Sequence, residues 1–250
     1  MSAGPLRVAV VGAGGRLGRF ACELLRQEAG FELVATYDSR DDWTREVASS
    51  GAVVALEATR AGLGAEHGLA LLAAGVRPVI GTSGVSVADG ERLDAEARRL
   101  GLGGLIVPNF SLGSLLLQRF AAEAARYFRE AEIVELHHER KADAPSGTAA
   151  ETARRMSAAR GGARHPARED GPRERGARHD GIPVHSVRLP GLYAHQEVLL
   201  GAPGELLTLR HDMSGPQAFG PGLLAALRFA AGAVGVPRGL EHALTGDARP

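Results

Sequence analysis

The stretch Leu6–Arg19 reads LRVAVVGAGGRLGR. Leu6–Val11 is short and nearly all apolar, which suits a strand buried on both faces, as parallel strands of α/β sheets are. It runs directly into Gly12-Ala13-Gly14-Gly15-Arg16-Leu17-Gly18. Counted from Gly12 and Gly14, the standard third place of G-x-G-x-x-G holds Leu17, so the match is to a variant built on Gly12, Gly15 and Gly18. Glycines at such positions allow a tight turn, close approach of backbone to a pyrophosphate, and close packing of the following helix. A helix over Arg19–Gln27 completes strand, turn and helix in the order a dinucleotide fold requires.

Outward from this unit the rhythm repeats. Phe31–Tyr37 reads as a second strand ending at Asp38, about twenty residues past the turn, where an acid would hold a ribose 2′-hydroxyl. Arg16 and Arg40 are the side chains that would instead meet a 2′-phosphate. Asp38 would repel that phosphate, which favours NADH over NADPH. Trp43–Ser50 reads as a short helix or loop. Gly51–Leu56 is a third strand, Glu66–Ala74 a helix, and Val76–Ile80 a fourth strand that runs into Gly81-Thr82-Ser83-Gly84. Ligands of open parallel sheets sit at strand carboxyl ends, so Gly81, Thr82 and Ser83 are placed to line the nicotinamide half of a cofactor. A helix over Val87–Leu100 and a strand over Gly104–Val107 lead to Pro108-Asn109-Phe110-Ser111. Strand and helix alternate throughout, the doubly wound α/β pattern.

Past Ser111 the order changes. Leu112–Arg129 reads as one long amphipathic helix, Ile133–His138 as a strand and Ala149–Arg160 as a helix. Gly161–Gly181 has no apolar face, and its arginines and acids are mixed, as expected of a solvated loop rather than a nucleic-acid arm. Three strands follow, Pro183–Leu189, Glu197–Leu200 and Leu206–His211. Consecutive strands without helices between them imply an antiparallel or mixed sheet and a second, α+β domain. Gly222–Val234 is a closing helix expected to return to the first domain. The resulting division is residues 1–110 with 218–250 for dinucleotide binding, and residues 111–217 for substrate binding and oligomerisation.

The chemistry concentrates in Glu135–Ala149, ELHHERKADAPSGTA. Lys141 is the only lysine in a chain with 29 Lys+Arg. Where arginine serves everywhere else, a lone ammonium suggests a compact charge that can surrender a proton. A leftover surface lysine would not explain the neighbouring His137 and His138. On a strand those two imidazoles point to opposite faces. Thr148 with Glu151 fits a capping box opening the next helix, whose first amides would attract a carboxylate or phosphate. Imidazole, amine and helix start together describe a pocket for an acidic substrate that needs a proton. Arg188 is a further candidate for a substrate carboxylate, behind that helix start. His185, His195 and His211 lack metal-like spacing and read as structural.

Composition narrows the classes. Lys+Arg and Asp+Glu balance at 29 each, and aromatics are only 4%. Neither a basic field nor a base-stacking platform is indicated, so no nucleic-acid or membrane partner is expected. No apolar run approaches membrane-spanning length. One cysteine, Cys22, excludes an internal disulfide and a cysteine-built metal site, and no metal is expected. A structured element begins near the first residue without a signal-peptide layout, consistent with a cytoplasmic protein.

With these residues in view, the chain resembles the dihydrodipicolinate reductase (4-hydroxy-tetrahydrodipicolinate reductase) family of the diaminopimelate route to lysine. The resemblance rests on VGAGGRLGR at 11–19, GTSG at 81–84, PNFSLG at 108–113, SVRLPGLYAHQEVLLG at 186–201 and the segment at 204–212, but above all on 135–149. It implies NADH- or NADPH-dependent reduction of a cyclic dicarboxylate, with His137 and Lys141 as proton donors. It assigns substrate binding to His138, Gly147 and Thr148. Cofactor contacts fall on Gly12, Ala13, Gly14, Gly15, Arg16, Leu17, Asp38, Gly81, Thr82, Ser83, Val107, Pro108, Asn109 and Phe110. It implies a homotetramer joined through substrate-domain sheets.

Three positions depart from the family pattern: Ser39 replaces a frequent arginine, Glu57-Ala58-Thr59 replaces D-F-T, and Gly215-Pro216 stands near a missing arginine. Two other readings remain open: another two-domain nicotinamide oxidoreductase acting on an amino or semialdehyde acid, and a catalytically dead cofactor-binding protein. The first would need a reactive cysteine if it were aspartate-semialdehyde dehydrogenase, and Cys22 reads as packed. The complete HH…K…SGT set argues against the second.

Overall fold

The computed structural model describes residues 4–161 and 175–245. The chain divides into two compact units, Met1–Leu112 with Phe219–Pro250, and Gly113–Ala218.

The first unit is built on five parallel strands: β1 (Leu6–Val11), β2 (Phe31–Tyr37), β3 (Val54–Glu57), β4 (Arg77–Ile80) and β5 (Leu105–Ile106), in the order β2-β1-β3-β4-β5. The chain starts one strand in from an edge, moves to that edge, then crosses back to the other side of β1. The switch point therefore lies between β1 and β3, where doubly wound sheets bind ligands. Val8–Val11 and all of β3 are buried, as their apolar runs require. Four helices alternate with the strands: α1 (Arg16–Gln27), α2 (Trp43–Glu46), α3 (Gly64–Ala73) and α4 (Val87–Leu100). Helix α1 starts three residues earlier than expected, because Gly15 is itself the N-cap in extended conformation and its carbonyl already accepts from the Arg19 amide. Cys22 lies on the buried face of α1, where burial pushes its thiol pKa up.

In the second unit α5 (Leu112–Ala124) is shorter than the sequence pattern suggested. Past Ala124 the chain turns, and the Ala125 and Phe128 carbonyls accept from the Arg160 guanidinium instead of from later helical amides. The strands are β6 (Glu130–His137), β7 (Ala177–His179), β8 (Ile182–Arg188), β9 (Ala194–Ala202) and β10 (Glu205–Met213), in the order β10-β9-β6-β8-β7. Only β6 and β8 pair in parallel, so the sheet is mixed. Helix α6 (Gly147–Ala159) packs Ala149, Ala153 and Met156 onto Ile133, Ile182 and Val198 of that sheet.

Of the expected loop Gly161–Gly181, residues 162–174 lie outside the described residues. Its end is not a loop but β7. Asp180 and Gly181 both have positive φ, 49° and 84°, the signature of a two-residue hairpin joining twisted strands. A 3-10 turn over Pro216–Phe219 then leads to α7 (Gly220–Gly232), which packs on β3 and β4 of the first unit, and to α8 (His242–Thr245).

Candidate active site

Alternation along β6 puts Ile133, Glu135 and His137 on one face, and both Ile133 and Glu135 are fully buried. A carboxylate cannot remain in a core unpaired. Glu135 is surrounded accordingly. Arg188, the last residue of the adjacent β8, donates to both carboxylate oxygens, at 2.9 Å and 2.8 Å. The Ser146 amide donates to Oε1 at 3.2 Å, and His137 faces Oε2 through Nδ1. Burial alone would raise the pKa of Glu135. The hydrogen bonds from His137, Arg188 and Ser186 outweigh it and bring it down to about 2. Two acceptors do not bond, so a nitrogen against this carboxylate carries the proton. His137 is thus held with Nδ1–H toward Glu135, leaving Nε2 as the nitrogen a ligand can use.

The same guanidinium organises the loop after β6. Its Nε donates to the Lys141 carbonyl at 3.3 Å, and an Nη donates to the Asp143 carbonyl at 2.6 Å. Arg188 therefore does not fit the expected role of substrate clamp; its donors are committed to Glu135 and to the loop that carries Lys141. Lys141 is not bare. Its Nζ contacts both Asp143 carboxylate oxygens, at 2.7 and 2.8 Å, and the side chain is 22% exposed. That hydrogen bond, with the ammonium's charge, holds the Asp143 pKa below the usual carboxylate value. The Ala144–Pro145 bond in this loop is cis.

The cap of α6 differs from the expected one. Ser146 is the N-cap, accepting from the Ala149 amide at 3.2 Å, and it is 3% exposed. Thr148 already lies inside the helix, and the Glu151 carboxylate is taken by Arg154 and Arg155 rather than by a capping box. Gly147, the first helical residue, is exposed, and a Cβ built on it would meet nothing within 4 Å. No protein packing demands glycine there. His138 lies just past the end of β6, so the two imidazoles do not sit on one regular strand. Its Nδ1 is buried without a hydrogen-bond partner, although buried polar atoms ordinarily have one.

At the switch point of the parallel sheet the glycine turn fits tightly. Tyr37 accepts the Gly12 and Ala13 amides at 2.8 and 3.0 Å. Gly12 has φ 89°, and a Cβ there would lie 2.6 Å from the Ala58 carbonyl oxygen. At Gly14 a Cβ would lie 2.2 Å from Asp38 Oδ2, the end of an exposed side chain that can swing aside, whereas at Gly18 it would lie 2.1 Å from the Gly12 carbonyl oxygen. The cradle suits a dinucleotide, with exposed glycine backbone at the turn and an exposed acid beside it. Arg16, Ser39 and Arg40 are also exposed. Gly81, Thr82 and Ser83 follow β4, and a Cβ on Gly81 would strike Phe110 and Leu17. Residues of the turn, the 81–83 loop and the 107–110 segment thus meet. Val107 donates to Ile80, and Asn109 accepts the Ser111 amide at 2.9 Å.

The three histidines without metal-like spacing have structural settings. His185 faces Glu132 at 2.8 Å, His195 faces Asp212 at 2.8 Å, and His211 packs against Gly113. Among the described residues no group of His, Cys, Asp and Glu could hold a metal ion, and no helix is long and apolar enough to cross a membrane.

A parallel sheet with this glycine turn at its switch point, joined in one chain to a mixed sheet bearing a carboxylate-held histidine, is the architecture of the two-domain nicotinamide-linked oxidoreductases. The chain belongs to the dihydrodipicolinate reductase family: the family's N-terminal domain matches residues 6–110 and its C-terminal domain residues 113–243. A 4-hydroxy-tetrahydrodipicolinate reductase of Beutenbergia cavernae is 46% identical over 94% of this chain and 97% of its own length. One of Legionella pneumophila strain Lens is 42% identical over 95% and 99%. The dipicolinate-bound dihydrodipicolinate reductase of Paenisporosarcina sp. TG-14 has the same fold, with TM-score 0.83 and 36% identity over 95% of this chain and 98% of that one.

Proposed function

We propose that this chain reduces 4-hydroxy-tetrahydrodipicolinate to tetrahydrodipicolinate with a reduced nicotinamide dinucleotide, in lysine and diaminopimelate biosynthesis. The observation that carries the reading is His137 held by Glu135, itself paired with Arg188, four residues before the chain's only lysine, in a member of this family. Loss of the substrate's 4-hydroxyl as water leaves an electron-poor C=C/C=N system, to which the cofactor, when bound, would supply a hydride. His137, protonated, offers Nε2–H to the enamine-like carbon, while Glu135 keeps the opposite nitrogen occupied and the ring in one orientation. Lys141 exchanges Asp143 for a substrate carboxylate and brings positive charge, and in part the proton, to that end. The second carboxylate lies over the bare start of α6 at Gly147 and Thr148, where helix amides and dipole favour an anion. The unpartnered His138 Nδ1 completes the substrate contacts.

In this reading Gly12–Leu17 cradle the pyrophosphate, Asp38 holds the adenosine ribose, and Gly81–Ser83 with Val107–Phe110 line the nicotinamide. NADH is preferred because the exposed Asp38 carboxylate would face a 2′-phosphate with like charge. The assembly is a homotetramer, for which the outer edge strand β10, with Leu206 67% exposed, offers apolar surface. The test is loss of reduced-nicotinamide absorbance on adding enzymatically generated substrate, run with NADH and with NADPH. Substrate-dependent oxidation with a lower KM for NADH is expected. Cofactor binding without turnover would overturn the catalytic reading, and tighter NADPH binding would overturn the role given to Asp38.

A further inference from the structure

The last residue of β3 is a second glutamate with no exposed surface, and the reaction above does not use it. Glu57 Oε1 accepts the Thr59 hydroxyl and, at 3.2 Å, the Thr59 amide; Oε2 accepts the Thr82 hydroxyl. His67, from the first turn of α3, places Nδ1 3.1 Å from Oε1 and 3.2 Å from Thr59 Oγ1. Thr59 has already given its hydroxyl proton to the carboxylate, so Nδ1–H of His67 is the donor to both. The other face of the imidazole meets Trp43 edge-on, with ring centroids 5.0 Å apart and planes at 80°. Trp43 shares a buried cluster with Tyr37 and Val11, and Tyr37 holds the Gly12 and Ala13 amides and immediately precedes Asp38. The backbone repeats the link, since Glu57 accepts the Gly81 amide at 2.9 Å and Ala58 donates to Val11.

One carboxylate thus ties together the loop after β3, the loop after β4 and the start of α3. Its partners are mainly loop side chains rather than neighbouring strands, so burial of a charge at this place fixes loops more than it fixes the sheet. We propose that Glu57 and His67 are a positioning pair for the cofactor: Glu57 holds the Gly81–Ser83 loop through Thr82, and His67 carries that constraint to Trp43 and the turn before Asp38. The inference rests on the reading of these loops as the nicotinamide and ribose ends of one cofactor site. It also gives a physical role to the Glu57-Ala58-Thr59 departure. The longer glutamate reaches both Thr82 and His67 from the strand end.

Trp43 is the chain's only tryptophan, so the full-length protein carries its own reporter. Titration with oxidised NAD, which does not take up tryptophan emission as the reduced form does, should change Trp43 fluorescence saturably in the wild type. Glu57→Gln and Thr82→Val should raise the KM for NADH about tenfold or more, the scale of a buried charge-assisted hydrogen bond, and Glu57→Gln should leave kcat at saturating NADH within about twofold. The double variant should be little worse than the worse single one, because both remove the same contact. His67→Gln should still bind the cofactor but lose the emission change. Unaltered NADH KM in folded Glu57→Gln, or a wild-type emission change in His67→Gln, overturns the pair. If Glu57→Gln fails to fold, Thr82→Val and His67→Gln decide by the same two readouts. A wild type that binds neither NAD nor NADH rejects the cofactor reading itself, which is a different failure.

Discussion

Glu135 and Glu57 are alike in outline and opposite in support. Each is wholly buried on a strand, and each faces Nδ1 of a histidine. Glu135 has a permanent cation, Arg188, on both oxygens. Glu57 is held, among the described residues, by two threonine hydroxyls, an amide and an imidazole. A guanidinium fixes the charge of its partner whatever the imidazole does, so proton transfer at His137, as proposed, would not unsettle the core. Hydroxyl donors give no such guarantee, but they belong to loops, and so they transmit position. In the proposed reaction one glutamate would serve the proton donor and the other the cofactor surface.

The largest effect that can break this contrast is catalytic. His137→Ala should lower kcat by roughly 10²–10⁴, the range for loss of a general acid, and Lys141→Ala should likewise lower kcat strongly. NADH affinity should stay near wild type in both. His67→Ala should do the reverse, raising the KM for NADH while sparing kcat. Matching kinetic phenotypes for the two histidine variants would erase the distinction.

Stability sharpens it next. Arg188→Met strands a buried carboxylate and should cost roughly 3–5 kcal/mol in urea unfolding. Converting Glu135 to Leu in the same chain should recover much of that, since the uncompensated charge is then gone. Glu57→Gln exchanges hydrogen bonds without stranding a cation and should cost only about 1–3 kcal/mol.

The acid limb of stability follows from the same pair. Glu135 falls from an ordinary 4.5 to about 2 in the folded chain. The unfolded state therefore binds a proton first as pH drops, and folding loses support. The contribution is complete above about 4.5 and is lost as pH falls through about 2; at full size it is roughly 3 kcal/mol. In Glu135→Gln the stability curve measured over that window should be flatter by this amount.

How much of this was legible in the sequence depends on the range of the interaction. The glycine turn and the alternating strands and helices declare the parallel unit because their signals are local. The β7–β8 hairpin was also locally written, in Asp180-Gly181 between two short extended segments, but the surrounding charges masked it. Glu135 carried a period-2 signal, one acid on a face shared with Ile133 and His137, that the adjacent HH and Lys141 overshadowed. Arg188 is different in kind. Its partner lies 53 residues away, and no spacing rule links them, so a guanidinium near a site reads as a ligand clamp although its donors go to the buried carboxylate that faces His137. Glu57 appeared only as a departure from a motif, since its meaning depends on Thr82 and His67 arriving from two other segments.

The smallest expected effect concerns the helix that meets Glu135 rather than either glutamate directly. Sequence spacing put the cap of α6 at Thr148, whereas Ser146 fills that place and also gives its own amide to Glu135. Ser146→Ala removes the hydroxyl that satisfies the Ala149 amide and should cost about 1 kcal/mol, as N-cap truncations do. Its backbone amide remains, so the Glu135 network stays intact and kcat should change little. Thr148→Ala removes no cap and should leave unfolding within about 0.5 kcal/mol, as substitutions away from such features do, but raise the KM for the dicarboxylate. Opposite outcomes, with Thr148→Ala the destabilising change and Ser146→Ala the one that weakens substrate binding, would exchange the places of the cap and the anion site. The Glu135 side of the comparison would then lose its link to the substrate.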